Sequence, residues 1–508
     1  MARTALAATG ASVTLMVAVG AGGPSPGVGV RAFSPAPPWP PWFVHVSASP
    51  VVVSPVVVSP VVVSAVLWLA AVLGGVGLAA GLAAARRGWR PRPRRLILGS
   101  VVAVVALMVI PPVGSNDLLV YVAAGRIAVL GHSPYVMTPG QLMSSGDPIG
   151  SGTVFTYPDV PSPYGPVATV TEAAASELGG TSVARTLFWL KVWDALAYLA
   201  IVVALDRMTR SDAARRVRAH LLWSVNPIML LEMMASGHND VLAAAAGLSA
   251  LLVMRRVDTR RALLAGILLG LAAAIKAPYV LFGLGLAWCA RRSPRTLAAL
   301  VLGTAGALVP GYVWAGRPAI SATTGVAARS VGQSPWALPV LMLQKVLHWH
   351  ASSARIDTVA LIGSAVLAAV LLLRMPPGSR DFPAVRVALA ATLALLVLSP
   401  QQQPWYAALI FPLLALFPAS RLDWVAVALA SATALGELPV MFLTGLHPAW
   451  LARSALTGDL GIVLLGVTEA GFTLLWLCFT RDWRPGTGLG APVEVVPGDV
   501  GAGIASRN

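Results

Sequence analysis

An aspartate just beyond a membrane-length apolar run is the residue of this chain best placed for chemistry. Asp117 follows the apolar run 96–113 by four residues, in the stretch Pro-Pro-Val-Gly-Ser-Asn-Asp. A carboxylate is costly to keep at a membrane surface and is commonly retained there for chemistry. Asp117 is therefore the candidate catalytic residue, and the competing interpretation is a solvated or helix-capping acid.

The loop that follows, 114–185, carries polar and aromatic residues around this carboxylate. Tyr121 and Arg126 come four and nine residues after Asp117 and form a polar stripe, which suits a membrane-surface helix beside a cleft. Two proline-containing turns, Gly-His-Ser-Pro-Tyr and Ser-Pro-Tyr-Gly-Pro, then place aromatic rings in the same loop. The candidate substrate-binding residues here are Asn116, Tyr121, Arg126, Tyr135 and Tyr164.

A second polar group is the turn Gly-His-Asn-Asp at 237–240, between two apolar runs. A tight turn whose Asn239 side chain caps the next helix would explain the asparagine. His238 and Asp240 need hydrogen-bond partners if they are buried, so we expect all three residues to contact substrate. Two ligands do not make a metal site, and we predict neither metal nor cofactor.

Candidate phosphate-binding cations follow in the second half of the chain. Lys276 ends an apolar run, where it either meets a phosphate or extends its ammonium to the interface, and Arg329 is a phosphate ligand or a solvated loop residue. Trp405 and Tyr406 fit an aromatic belt, while Gln402 adds donors that a belt does not need.

Composition identifies the chain as a polytopic membrane protein. Its 508 residues are 57% hydrophobic and 11% charged, with a mean hydropathy of +0.76, against roughly 25% charged residues in soluble domains. The net charge of +16 would suggest nucleic acid in a soluble protein, but here the arginines cluster in short loops between apolar runs. That pattern indicates topology, so we expect the bilayer and no nucleic acid as partner.

A helix needs about 20 apolar residues to cross the membrane once. On this basis we predict an all-α bundle of about 12–14 transmembrane helices with large extracytoplasmic loops. The spans are 5–22, 61–85, 96–113, 186–205, 219–236, 239–254, 261–276, 277–290, 296–314, 357–374, 383–400, 405–418, 424–446 and 460–479. Counted from a cytoplasmic N-terminus, they put the arginine clusters inside and every candidate site residue outside. A re-entrant or broken helix is expected within 239–290, where three runs are short.

Three regions are predicted: an N-terminal region over residues 1–60, a membrane domain over 61–480 and a disordered cytoplasmic tail over 481–508. The first contains an anchor helix, or equally a cleaved signal peptide, followed by a disordered stretch rich in proline and valine. No nucleotide-binding loop, dinucleotide fingerprint or soluble α/β domain is recognisable in the sequence. A glycosyltransferase built as such a membrane protein would therefore take its sugar from a lipid carrier and not from a nucleotide.

At these residues the chain resembles the polyprenol-phosphate-mannose-dependent α-1,6-mannosyltransferases that build lipomannan in actinobacteria, which are membrane glycosyltransferases of the GT-C type. The matching pieces are Asn116-Asp117 with Tyr121 and Gly125-Arg126, Gly131-His132-Ser133-Pro134-Tyr135, Pro163-Tyr164-Gly165-Pro166, Asn226-Pro227, Gly237-His238-Asn239-Asp240 and Pro404-Trp405-Tyr406. The resemblance implies a multi-pass fold in the cell membrane, an active site on the extracytoplasmic face and a polyprenyl-phosphate-mannose donor. It also implies that Asp117 is the general base in an inverting transfer to a mannoside or glycolipid acceptor.

Three other interpretations stay open on the sequence. The sugar could be arabinose or glucose, because nothing in the residues separates these donors. A transporter is suggested by ionisable residues within apolar runs, including Lys191 and Asp194, although paired half-repeats are not recognisable. A membrane scaffold would show no clustering of polar groups on one face.

Overall fold

The computed structural model of the protein describes residues 1–21, 60–153, 155, 157–325, 336, 343, 348, 353–378 and 382–443. These residues form helices and contain no strand, which confirms the all-α membrane fold. Arg329, the predicted span 460–479, the stretch 24–59 and the tail 481–508 lie outside them.

The described α-helices are numbered in chain order. They are α1 (Ala2–Ala21), α2 (Pro60–Arg86), α3 (Pro93–Met108), α4 (Asp117–Val129), α5 (Pro139–Ser144), α6 (Pro148–Ser151), α7 (Pro166–Gly179), α8 (Val183–Thr209), α9 (Ala213–Ala219), α10 (Pro227–Met229), α11 (Asp240–Val253), α12 (Thr259–Ile275), α13 (Phe282–Ala290), α14 (Pro294–Ala315), α15 (Arg317–Gly325), α16 (Ser353–Arg374), α17 (Pro383–Leu398), α18 (Phe411–Leu416) and α19 (Leu422–Leu443).

Five described helices are long and apolar enough to cross a membrane, namely Ala2–Ala21, Ala65–Arg86, Val183–Thr209, Pro294–Ala315 and Arg355–Arg374. Shorter apolar helices lie at Asp240–Val253, Ala277–Ala290, Pro383–Leu398 and Pro404–Leu416, within further predicted spans. The N-terminal helix α1 packs along α2, where the Ser12 hydroxyl donates to the Ala70 carbonyl at 2.7 Å.

The apolar run before Asp117 is shorter as a helix than as a hydropathy segment. Helix α3 ends at Met108, although the run continues to Val113. Pro111 and Pro112 cannot donate main-chain hydrogen bonds, and each restricts the residue before it, so the helix ends before them. The chain therefore reaches Asp117 through the non-helical segment 109–116.

The predicted span 219–236 is broken in the structure, whereas the sequence predicts a continuous span. Two π-helical stretches, His220–Ser224 and Leu230–Ala235, flank a break at Val225 and Asn226 and the short helix α10. The Asn226 side chain accepts from the N–H groups of Ile228 and Met229 and so begins α10.

The bundle has two chemically distinct ends. At the arginine end, Arg86 and Arg218 both contact the Asp423 carboxylate, with the Arg218 Nε donating to Oδ2 at 2.9 Å. At the other end, which we call the Asp117 end, the Val113 N–H donates to the Ala235 carbonyl at 2.8 Å, and the Gly165 N–H donates to the Ile275 carbonyl at 3.1 Å. These contacts join chain segments that the span count places on one common side.

Candidate active site

Asp117 is the first residue of α4 and is only 8% exposed. Its main-chain N–H donates to the Ser115 hydroxyl at 3.1 Å. The Tyr164 hydroxyl donates to Oδ2 at 3.2 Å, and the His238 Nδ1 lies 4.0 Å from the same oxygen. The carboxylate is thus hydrogen-bonded by Tyr164 and has His238 nearby, both from distant parts of the chain.

The surroundings of Asp117 make it a stronger base than an exposed aspartate. Burial raises its pKa to about 6, while the positive charge of Lys276 and the hydrogen bond from Tyr164 act in the opposite direction. From the sequence alone an ordinary pKa, about 3.9, is expected. At neutral pH the group is still mostly ionised, and it binds a proton more tightly than the sequence indicates.

His238 lies flat against an aromatic ring from a remote segment. Its ring stacks on Trp405, with centroids 3.8 Å apart and planes inclined by 19°. Both ring nitrogens are buried without a hydrogen-bond partner. Burial, together with the charge of Lys276, holds the pKa of His238 well below its ordinary value, so the imidazole is neutral. A neutral imidazole presents one donor and one acceptor to a ligand.

The interpretation of Asn239 as a capping side chain is wrong. Asn239 does precede α11, but its side chain makes no capping hydrogen bond. Its amide nitrogen and oxygen are both buried without a partner. Buried polar groups in folded proteins are usually satisfied, so an unsatisfied amide beside His238 indicates a position for a ligand hydroxyl or phosphate oxygen.

Lys276 and Asp240 form a buried ion pair next to the Tyr164 ring. The Lys276 Nζ is 2.5 Å from the Asp240 Oδ2, and the Tyr279 hydroxyl donates to the Asp240 carbonyl at 2.9 Å. The ammonium also lies 4.8 Å from the centroid of the Tyr406 ring and 5.5 Å from that of Tyr164, within the range of cation–π attraction. Tyr164 therefore contacts the candidate base with its hydroxyl and the lysine with its ring.

Two other predicted residues adjoin this group. Tyr121 packs edge-on against Tyr164, with ring centroids 4.9 Å apart. The Gln402 amide nitrogen donates to the Val397 carbonyl at 2.9 Å, and its Oε1 is buried without a partner. Asn116 is the residue that precedes α4.

The structure gives Arg126 and Tyr135 protein partners of their own. The Arg126 guanidinium pairs with Asp147 through Nε at 2.8 Å and Nη2 at 2.7 Å. Tyr135 shares a 2.8 Å hydrogen bond with the Thr169 hydroxyl. Both residues are thus engaged in holding the segment 130–170 together, in addition to any contact with substrate that the sequence suggests.

Two residues of this region are not singled out by the sequence pattern. Ser115 accepts from the Asp117 N–H, and Glu172 on α7 is 1% exposed, with both carboxylate oxygens lacking a partner. Burial raises the pKa of Glu172 well above its ordinary value. Its only signal in the sequence is an acid among alanines on the buried face of a helix.

The arrangement combines a buried base, a cation and unsatisfied hydrogen-bonding groups. Within the described ranges no cluster of three histidine, cysteine, aspartate or glutamate side chains is arranged to hold a metal ion. What these residues can do is accept a proton at Asp117, orient hydroxyls at His238 and Asn239, and stabilise negative charge at Lys276.

Comparison with known families gives a match over more than half of the chain. The family described as "Alpha-(1->6)-mannopyranosyltransferase, N-terminal domain" matches residues 7–292. That segment includes Asp117, Tyr164, His238 and Lys276, whereas the aromatic pair at 405–406 lies beyond it.

Individual proteins show similarity over a shorter segment. A "probable alpha-(1->6)-mannopyranosyltransferase" of Mycolicibacterium smegmatis is 30% identical over 144 residues, 27% of this chain and 25% of the relative. An alpha-(1->6)-mannopyranosyltransferase of Mycobacterium tuberculosis is 28% identical over 142 residues, 27% of this chain and 23% of the relative. Alpha-(1->6)-mannopyranosyltransferase B of Corynebacterium glutamicum is 24% identical over 137 residues, with the same two shares. The chain thus matches about a quarter of the length of these relatives.

Proposed function

The chain belongs to the alpha-(1->6)-mannopyranosyltransferase family, and from that premise we propose that it transfers mannose from a polyprenyl-phosphate donor to a hydroxyl of a mannoside or glycolipid acceptor. The observation that carries the proposal is the buried Asp117 carboxylate, whose neighbours are a tyrosine hydroxyl at 3.2 Å and a neutral imidazole at 4.0 Å. A hydroxyl nucleophile has to lose one proton during glycosyl transfer, and this group can take it.

In the proposed reaction the acceptor oxygen attacks the anomeric carbon of a β-mannosyl phosphate while the bond from that carbon to the phosphate oxygen breaks. One displacement inverts the centre to α. The acceptor proton passes to Asp117, a general-base step typically worth about 10² to 10⁴ in rate. A pKa of about 6 favours this role, because the group is ionised at neutral pH and still basic enough to hold the proton late in the step.

The leaving group carries a negative charge and needs electrostatic stabilisation more than it needs a proton. Lys276 is the cation whose charge acts on Asp117, and it lies near the tyrosine ring that adjoins the base. A preorganised ammonium in a water-poor site stabilises a developing phosphate charge far better than one in water. We assign Lys276 to the donor phosphate, and His238 and Asn239 to hydroxyls of the sugars.

The proposal places this site on the extracytoplasmic face, with a role in cell-envelope glycan synthesis of the lipomannan type. Support comes from the separation of the two ends of the bundle. The arginines that contact Asp423 lie at one end, and the Asp117 group lies at the other. Loops rich in arginine are retained in the cytoplasm, which supports an outward-facing Asp117 end.

Transfer can be tested with membranes or purified protein, radiolabelled polyprenyl-phosphate-mannose and a short α-mannoside. We expect labelled, extended mannoside from the wild-type protein and a loss of about 10² to 10⁴ in rate from Asp117→Asn, with donor binding retained. Wild-type turnover in that variant would remove the base assignment. Uptake of label into vesicles without a new glycosidic bond would instead establish transport, and product made only from arabinose or glucose donors would change the sugar.

A further inference from the structure

A buried lysine of α8 holds the end of the helix that leads to Asp117. Lys191 lies within α8 and its side chain is inaccessible to solvent. Its Nζ donates to the Leu107 carbonyl at 2.6 Å and to the Ile110 carbonyl at 2.8 Å. Burying an ammonium in an apolar bundle is costly, so a lysine is retained there only where its donors are used.

These two carbonyls belong to the place where α3 stops. The last carbonyls of any helix lack partners within the helix, and the carboxyl end carries a partial negative charge. Pro111 and Pro112 follow at once and have no N–H to offer. The Lys191 amino group therefore supplies the missing donors.

The segment held in this way runs directly to the candidate base. Only six residues separate Ile110 from Asp117. Between them the Val113 N–H is bonded to the Ala235 carbonyl at 2.8 Å, and the Ser115 hydroxyl accepts from the Asp117 N–H. The direction in which the chain leaves α3 thus determines where the Asp117 carboxylate meets Tyr164.

We propose that Lys191 is a positioning residue for the transfer reaction, fixing the segment 109–116 so that Asp117 lies buried beside Tyr164 and His238. The inference rests on the proposed role of Asp117 as base. It gives Lys191 a use inside the fold, so this buried side chain does not require a transport pathway to explain it.

The test compares Lys191→Met with Tyr198→Phe in purified, monodisperse protein. Methionine keeps the length of the side chain but removes its donors. The matched control removes another buried hydrogen bond from the same helix, since the Tyr198 hydroxyl donates to the Trp223 carbonyl at 2.6 Å. Two quantities are measured: the pH dependence of mannosyl transfer, and hydrogen–deuterium exchange of the peptide covering 109–117.

For Lys191→Met we expect kcat to fall roughly ten- to hundredfold, less than on removal of the base itself. Activity falls at acidic pH as Asp117 is protonated, and we call this part of the pH–activity profile the acid limb. We expect its midpoint to move from about pH 6 towards the ordinary aspartate value near 4, because a displaced Asp117 becomes hydrated. The 109–117 peptide should exchange faster than in Tyr198→Phe. A mere loss of folded protein would lower the amplitude and leave the limb in place.

Lys191→Gln keeps N–H donors but has no charge, so it should give a smaller shift of the acid limb. This variant replaces Lys191→Met in the test if the methionine variant does not fold. An unmoved acid limb together with unchanged exchange in a folded Lys191 variant would overturn the positioning role. Full activity of Asp117→Asn would instead overturn the proposed function, so the two failures are distinguishable.

Discussion

Replacing Tyr164 by phenylalanine removes the hydroxyl that donates to the Asp117 Oδ2 at 3.2 Å and leaves the ring against Lys276. The hydrogen bond stabilises the ionised carboxylate and so lowers its pKa, in opposition to burial. Its removal should therefore raise the pKa of Asp117 above the value of about 6. Activity should then be lost at acidic and neutral pH, where more of the base is protonated.

The size of the shift follows from the strength of the bond. Hydrogen bonds to charged groups contribute roughly 1.5–3 kcal/mol, and about 1.36 kcal/mol corresponds to one pKa unit. A separation of 3.2 Å is long for a hydroxyl donor, so we take the lower end, about one unit. The ionised fraction then falls from about one half to about one tenth at pH 6, and from about nine tenths to about one half at pH 7.

The assay is kcat/KM for mannosyl transfer from pH 5 to pH 8.5 in both proteins. We expect about a fivefold loss at pH 6, about twofold at pH 7 and a similar plateau above pH 8. His238 stays neutral near pH 6 because its pKa is lowered well below the ordinary value, so it does not produce this limb. Tyr198→Phe is the control for loss of a buried tyrosine hydroxyl and should leave the limb at its wild-type position. A limb that stays in place or moves to lower pH in Tyr164→Phe would refute the reasoning.

Three further outcomes are expected. Lys276→Met leaves the Asp240 carboxyl buried without its cation, which should lower stability by about 3–5 kcal/mol in thermal unfolding, with much of the loss recovered by adding Asp240→Asn. Gly165→Ala brings a Cβ within 2.2 Å of a main-chain carbonyl oxygen and should displace Tyr164, lowering kcat by roughly 10²-fold in the transfer assay. Arg126→Met breaks the pair with Asp147 and should cost about 1–3 kcal/mol of stability while KM for the donor stays unchanged.

Each of these has a matched control or a contrary result. Gly306→Ala places a Cβ in open space within a helix, so its activity should equal that of the wild type. If the double variant of Lys276 and Asp240 were no more stable than Lys276→Met, the charge imbalance would not be the cause. A tenfold rise in donor KM for Arg126→Met without loss of stability would assign Arg126 to substrate binding.

The sequence predicts which residues form the candidate site better than it predicts the contacts between them. A carboxylate after an apolar run and a polar turn between two runs are visible as composition, and span parity places them on one side. Counting the spans tells on which side of the membrane a residue lies, but it gives no distances between residues. That Tyr164 lies between Asp117 and Lys276 depends on the contact of Gly165 with Ile275, which joins residues 110 positions apart.

Helix ends are the other weakness of the sequence-based prediction. Hydropathy treats 96–113 and 219–236 as complete spans, because proline and asparagine within them change the average little. Main-chain hydrogen bonding is local, however, so two prolines end α3 at Met108, and Asn226 with Pro227 divides the second run. The pairing of Lys191 with α3 carbonyls depends on that early end and is not predictable from periodicity.

The short length of α11 has a consequence for how two unlike substrates meet. Its 14 residues extend for about 21 Å, whereas the hydrocarbon layer is about 30 Å thick. A helix of this length, with Arg255 and Arg256 just beyond its carboxyl end, is about 9 Å shorter than that layer is thick. For the proposed reaction, this difference in length would let a hydrophilic acceptor meet the phosphate of a lipid-linked donor while the lipid chain of the donor stays in the hydrocarbon layer.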